Sequence, residues 1–140
     1  MLTETPTGDN YATLADMARE YRDTHIVELK RQAHYNPCLG VDALCFQRLS
    51  AADDEPLLVG ALITPCALWL VALAADADTH LRQEDDYRLS LPSGDYRLTY
   101  HAFGERWWYQ RCVLDDLAEL DSMEDAARLA QQLMARLMEA

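Results

Sequence analysis

Residues 57–75 read LLVGALITPCALWLVALAA, an apolar run without one charged side chain, and any fold for this chain has to bury it. The run is long enough for a membrane-spanning helix. Two features send it into protein core instead. Thr64-Pro65 stands in its middle, where proline removes a backbone donor and drives the residue before it towards extended backbone, so the run divides into two strand-sized halves joined at a bend. The flanks carry Asp53, Asp54 and Glu55 on one side and Asp76 and Asp78 on the other, with no nearby Lys or Arg to anchor a helix end in lipid. The reading is two central strands of a sheet, covered on both faces, with no membrane insertion.

The rest of the chain supplies the covers and the outer strands. Residues 1–8 read as a flexible tail and 9–140 as a single domain. From about Asp9, the positions Tyr11, Leu14, Ala18, Tyr21, His25 and Leu29 recur at steps of three and four, which predicts a helix ending near Ala33, before Asn36-Pro37. Residues 41–49 form a well-covered strand and Tyr87 opens a short one that ends at Pro92-Ser93-Gly94, a turn signal. Tyr96, Leu98 and Tyr100 alternate with Arg97, Thr99 and His101, and a second alternating run from Trp107 to Leu114 follows the Gly104-Glu105 turn. That pattern predicts a hairpin. Ser122 is an N-cap for a final helix with Met123, Ala126, Ala130, Leu133, Met134 and Leu137 on one stripe. With no βαβ alternation, the fold class is α+β: an N-terminal helix, a mainly antiparallel sheet of five to six strands, and a C-terminal helix packed on the sheet.

Charge narrows the partners. Twenty-four acids against twelve bases give a net charge of -12, a field that repels nucleic acid and anionic lipid and attracts basic segments. Polynucleotide binding is therefore excluded as a working reading. The N-terminal sequence is polar and acidic rather than a secretory signal, and Cys38, Cys45, Cys66 and Cys112 form no CxxC pair, so the cytoplasm is the expected compartment. These cysteines, with His34 or His101, have none of the usual zinc-ligand spacing, and the expectation is no metal and no cofactor.

The sequence holds no glycine-rich phosphate loop, HExxH, GxSxG or CxxC motif. Cys112 with His101 is a conceivable catalytic remnant, whereas the adjacent Asp115 and Asp116 point in alternating directions on a strand and share no site. A binding module fits better than an enzyme. Trp107 and Trp108 are strand neighbours that point to opposite faces, so at most one is fully in the core and the other is free to anchor a partner.

Several local patterns resemble one family. Asn36-Pro37-Cys38-Leu39 with Val41-Asp42-Ala43 and Phe46, then Gly60 and Leu62-Ile63-Thr64-Pro65, then Leu91-Pro92-Ser93-Gly94-Asp95-Tyr96, then Tyr109-Gln110 and Cys112-Val113-Leu114, are similar to the HybE family of [NiFe]-hydrogenase assembly chaperones. The resemblance implies a chaperone that binds the immature hydrogenase small subunit, with its twin-arginine signal peptide as a contact, alongside other hydrogenase maturation proteins. It also implies that export is held back until cofactor assembly is done. A scaffold or accessory subunit of a hydrogenase complex is the alternative, with a small enzyme behind it. Two departures mark a divergent member: Cys66-Ala67-Leu68-Trp69 after Thr64-Pro65, where the family usually has a tryptophan and a Met-Asn pair, and Asp116-Leu117-Ala118, where it usually has Ser-Pro-Met.

The candidate partner contacts are therefore Thr64, Pro65, Cys66 and Trp69 at the first departure and Asp115, Asp116 and Glu119 at the second, with Trp108 as the aromatic anchor. A basic segment followed by an apolar one needs carboxylates beside an apolar surface. The expected arrangement places the three acids at the rim of a groove floored by apolar side chains.

Overall fold

The computed structural model describes residues 2–50, 56–76 and 83–139. The chain runs β1 (Leu2–Glu4), α1 (Gly8–Arg31), β2 (Asp42–Ser50), β3 (Leu57–Ile63), β4 (Leu68–Ala74), β5 (Asp86–Leu91), β6 (Gly94–Phe103), β7 (Arg106–Leu114) and α2 (Met123–Leu137). The strands form one sheet in the order β1-β2-β3-β4-β7-β6-β5, and every pairing is antiparallel. The fold is α+β with seven strands rather than five to six. The added strand is β1, which lies where the sequence suggests a loose tail; three residues are too few for a periodic signal, and only pairing with Arg48, Leu49 and Ser50 defines it. The acidic turn at 51–55 and residues 77–82 of the polar connection lie outside the described residues.

The apolar run divides as its proline dictates. β3 and β4 pair directly, Ile63 opposite Leu68 and Leu57 opposite Ala74, and every residue of β3 is buried. Burial on both faces is why hydrophobicity here is continuous rather than alternating. On one face α1 lays Leu14, Met17 and Tyr21 against Leu58, Leu62, Val71, Phe103 and Trp108. On the other, α2 lays Met134 and Leu137 against Val59, Leu70, Ala72 and Tyr109, and its small residues Ala126 and Ala130 come close to Ala61, Ile63 and Leu68.

Local chemistry sets both helices. Ser122 caps α2, its hydroxyl accepting from Asp125 N at 3.3 Å, as its sequence position suggests. α1 starts from a less obvious box: Thr7 accepts from Asn10 N and Asn10 accepts from Thr7 N. Asn10 also donates to the Ala75 carbonyl at 2.7 Å, which fixes the helix start to the end of β4. Further along, Glu20 accepts from Arg106 Nε and Glu105 N, pinning α1 to the β6–β7 turn. In β2 one extra residue bulges between Leu44 and Gln47, with Cys45 at a φ of 58°. Phe46 then lies flat over Gly60, where a β-carbon would come within 2.4 Å of its ring.

Asn36 joins three connections at one end of the sheet. Its backbone N–H donates to the Pro65 carbonyl at 2.9 Å, and its side chain donates to the Leu117 and Leu120 carbonyls at 2.8 Å each and accepts from Cys38 N. The end of α1, the β3–β4 turn and the β7–α2 connection are thereby held together.

Candidate binding groove

α1 covers only part of its face of the sheet. Beyond it, β4, β7, β6 and β5 present a trough open to solvent, formed by two hollows that share Trp69, His101, Gln110 and Cys112. The hollow beneath the C-terminal half of α1 measures about 410 Å³ and is mainly apolar, floored by Tyr21, Leu29, Ala67 and Trp69. The second, about 550 Å³, is more polar and runs out over Thr99, Arg97 and Asp86.

The floor exists because the β3–β4 turn is buried, which loops seldom are. Thr64 makes it possible by replacing the lost ladder bonds: its hydroxyl accepts from Cys66 N at 3.1 Å and Ala67 N at 2.9 Å and donates to the Ala67 carbonyl. The Cys66 thiol donates to the Leu29 carbonyl at 3.4 Å, tying the turn to the end of α1. On the far wall β7 carries a second irregularity, with Leu68 opposite Leu114 and Trp69 opposite Cys112, so that Val113 is the extra residue.

Of the contacts chosen from sequence, Thr64, Cys66, Trp69 and Asp115 line this hollow together. Pro65 is buried in the turn, its carbonyl accepting from Asn36 N. Asp116 is exposed and accepts from Ala118 N at 2.9 Å, shaping its own loop, and Glu119 is exposed beside it; neither lines the hollow. Trp108 is not an exposed anchor. It is fully buried against Phe103 and Tyr21, with its indole N–H donating to Gln110 Oε1 at 3.1 Å. Alternation correctly divides the two tryptophans between faces, and Trp107, on the α2 side, is the partly exposed one.

Sequence reasoning missed Tyr21, His25, Glu28, His101 and Gln110 as groove residues. Tyr21 stacks on His25 with ring centroids 4.1 Å apart and on Trp108 at 5.7 Å. Burial, with the Cys112 and Cys66 thiols adding, pushes the Tyr21 hydroxyl up to about 12. Burial also raises Cys66, and burial followed by Asp115 raises Cys112. Both sulfurs therefore stay protonated and unreactive at neutral pH. Among the described residues no three His, Cys, Asp or Glu side chains gather with metal-holding geometry, and no helix is long and apolar enough to cross a membrane.

The class so defined is an α+β domain with one helix on each sheet face and an open, carboxylate-rimmed groove. The chain belongs to the HybE family: the family model described as "[NiFe]-hydrogenase assembly, chaperone, HybE" matches residues 12–140, all of the chain except β1 and the first turn of α1. Its work is thus in [NiFe]-hydrogenase maturation. Neither the curated proteins nor the solved structures hold a significant match to it.

Proposed function

We propose that this chaperone seats the twin-arginine signal peptide of the immature hydrogenase small subunit in the groove, in the cytoplasm, and holds back export until the cofactors are in place. A signal peptide of this kind has a basic, polar start followed by an apolar stretch. The observation that carries the reading is the pairing, in one hollow, of an apolar floor with carboxylates from two sides: Glu28 on α1 and Asp115 just past β7. Asp115 has no ion-pair partner among the described residues, and Glu28 has only an exposed Arg31 at 3.0 Å, a contact weak enough to be exchanged for a client arginine. Arginine suits such a rim because its planar fork donates two hydrogen bonds at once. The net charge of -12 adds long-range attraction that speeds encounter and fades with salt.

Contacts of the two kinds separate in experiment. Titration of a fluorescent basic–apolar peptide into the Glu28→Gln/Asp115→Asn variant is expected to show binding weakened severalfold at low salt and little at high salt. Trp69→Ala is expected to weaken it at every salt concentration. Equal loss from the acidic variant at both salts would show that the carboxylates are only solvated surface. Pull-down before and after metal-centre assembly distinguishes the chaperone from a scaffold. Recovery with the immature small subunit alone supports this reading, and persistence in the mature enzyme contradicts it.

A further inference from the structure

His25 on α1 and His101 on β6 meet in the wall of the apolar hollow with their Nε2 atoms 2.8 Å apart, a hydrogen bond that needs one proton, and only one, between them. His25 Nδ1 lies 3.0 Å from the Tyr21 carbonyl, which can only accept, so Nδ1 carries a hydrogen. In the neutral ring its Nε2 is then bare, and His101 Nε2–H is the donor. Two neutral rings satisfy this geometry, leaving His101 Nδ1 as the open protonation site.

We infer that the His25–His101 pair is a proton-operated release element of the groove, which holds a basic segment while both rings are neutral and lets it go when they charge. This rests on the reading of the groove as the seat of a basic–apolar segment. The first proton goes to His101 Nδ1, keeps the shared hydrogen bond and places a positive charge in the wall, where it competes with the client for Glu28 and Asp115. The second has to go to His25 Nε2, the acceptor itself, and it parts the rings. Tyr21 is stacked on His25 and also contacts His101, Phe103 and Trp108, so parting the rings disturbs the seam between α1 and β6 along with the floor of the hollow.

The surrounding groups favour the neutral state. Tyr21 and Glu28 face the pair from α1, His34 from the segment after it, Cys66 from the β3–β4 turn, Cys112 from β7 and Asp115 from beyond its end. On the open side, where His101 also lines the trough, stand Arg111 and the ion-paired Arg97 and Asp86. Tyr21 at about 12 and the raised thiols stay uncharged across the neutral and mildly acidic range. Burial holds both histidines below their ordinary range; for His25 the bond to the Tyr21 carbonyl opposes burial, and for His101 repulsion from His25 adds to it.

The test uses the full chain, a fluorescent peptide of basic–apolar sequence and the same peptide with its Arg and Lys replaced by Gln. Between about pH 7.5 and about pH 5.5, affinity for the basic peptide is expected to fall about tenfold and affinity for the neutral peptide less than about twofold. His25→Gln/His101→Gln retains hydrogen-bonding side chains that do not titrate, and its profile is expected to be flat; His34→Gln is expected to keep the wild-type fall. By linkage, basic peptide at neutral pH is expected to lower the midpoints of the His25 and His101 ring signals in an NMR titration. A flat wild-type profile, an undiminished fall in the double variant, an equal fall with the neutral peptide, or unmoved ring midpoints overturns the inference while leaving the seat itself standing. Absence of binding at every pH overturns the seat and the release element together.

Discussion

The two faces of the sheet are built from alternate residues of the same strands, and they are finished differently beyond their helices. On the α2 side, β5, β6 and β7 cover themselves with rings: Tyr87 stacks on Tyr109 at 5.1 Å, and Tyr100 and Trp107 close around it. On the α1 side the same strands present Arg97, Thr99, Gln110 and Cys112, side chains that leave a trough. A helix covers only a stripe of a sheet, so what stands beyond its edge decides between core and site. In this chain aromatic side chains close one face and polar ones keep the other accessible.

If that contrast is right, substitutions on the closed face cost stability and those on the open face cost binding. The largest effect is expected from Tyr109→Ala, which removes a fully buried ring and the hydroxyl that accepts from Glu84 N at 2.7 Å. Urea unfolding should show a loss of about 3–5 kcal/mol; a loss below about 1 kcal/mol would mean that the ring layer is not core. Next comes Asn36→Ala, which removes the side-chain bonds to the Leu117 and Leu120 carbonyls and from Cys38 N, leaving the Leu117 carbonyl only its bond from Leu120 N. The expected loss is about 2–3 kcal/mol, with faster hydrogen exchange in the β7–α2 connection as the accompanying sign. Trp69→Ala, half-buried on the open face, is expected to cost only about 1–2 kcal/mol of stability while weakening the client peptide far more than Tyr109→Ala does in the fraction that stays folded. Comparable peptide affinities for the two variants would erase the distinction between the faces.

The smallest expected effect is the acid response of stability. His25 and His101 titrate lower in the folded chain than unfolded, so below the ordinary histidine value of about 6.5 the unfolded chain binds more protons. The stability linked to their neutral forms is fully present above that value and is lost as pH falls from it towards the folded values. Melting temperatures measured across this window should decline for the wild type, with a shallower slope for His25→Gln/His101→Gln. Equal slopes would assign the decline to other groups.

What could be read from sequence divides along a physical line. Proline at 65, the turn at 92–94, the strand alternation around Gly104 and the Ser122 cap are local signals, and each element they predict is present. β1 and the Thr7–Asn10 box escaped because one has no period and the other uses asparagine where glutamate or glutamine is the usual partner. Cys45 in left-handed backbone carries no mark in composition, since the bulge it belongs to is defined only by the register of β2 against β3. The groove is half legible for the same reason. Thr64, Cys66, Trp69 and Asp115 were reached through two local stretches, whereas His25 and His101 lie 76 positions apart and become a pair only through the register of β6 under α1. Alternation says that Trp107 and Trp108 part company but not which of the two a helix fully covers; Trp108 is the one packed under Tyr21 of α1.

Asn36 also bears on when the groove can be completed. The carbonyls that satisfy its side chain lie 81 and 84 positions further along the chain, and the far wall of the groove, from Gln110 to Asp115, is more remote still from Tyr21 and His25. Contacts that close so long a loop form only when both ends are free in solution. During synthesis, the first hundred residues can leave the ribosome with the apolar halves paired and still offer no seat, because one wall and the knot that sets it have yet to emerge. On the proposed reading of the groove, a nascent chain therefore offers no seat until the β7–α2 connection has been released.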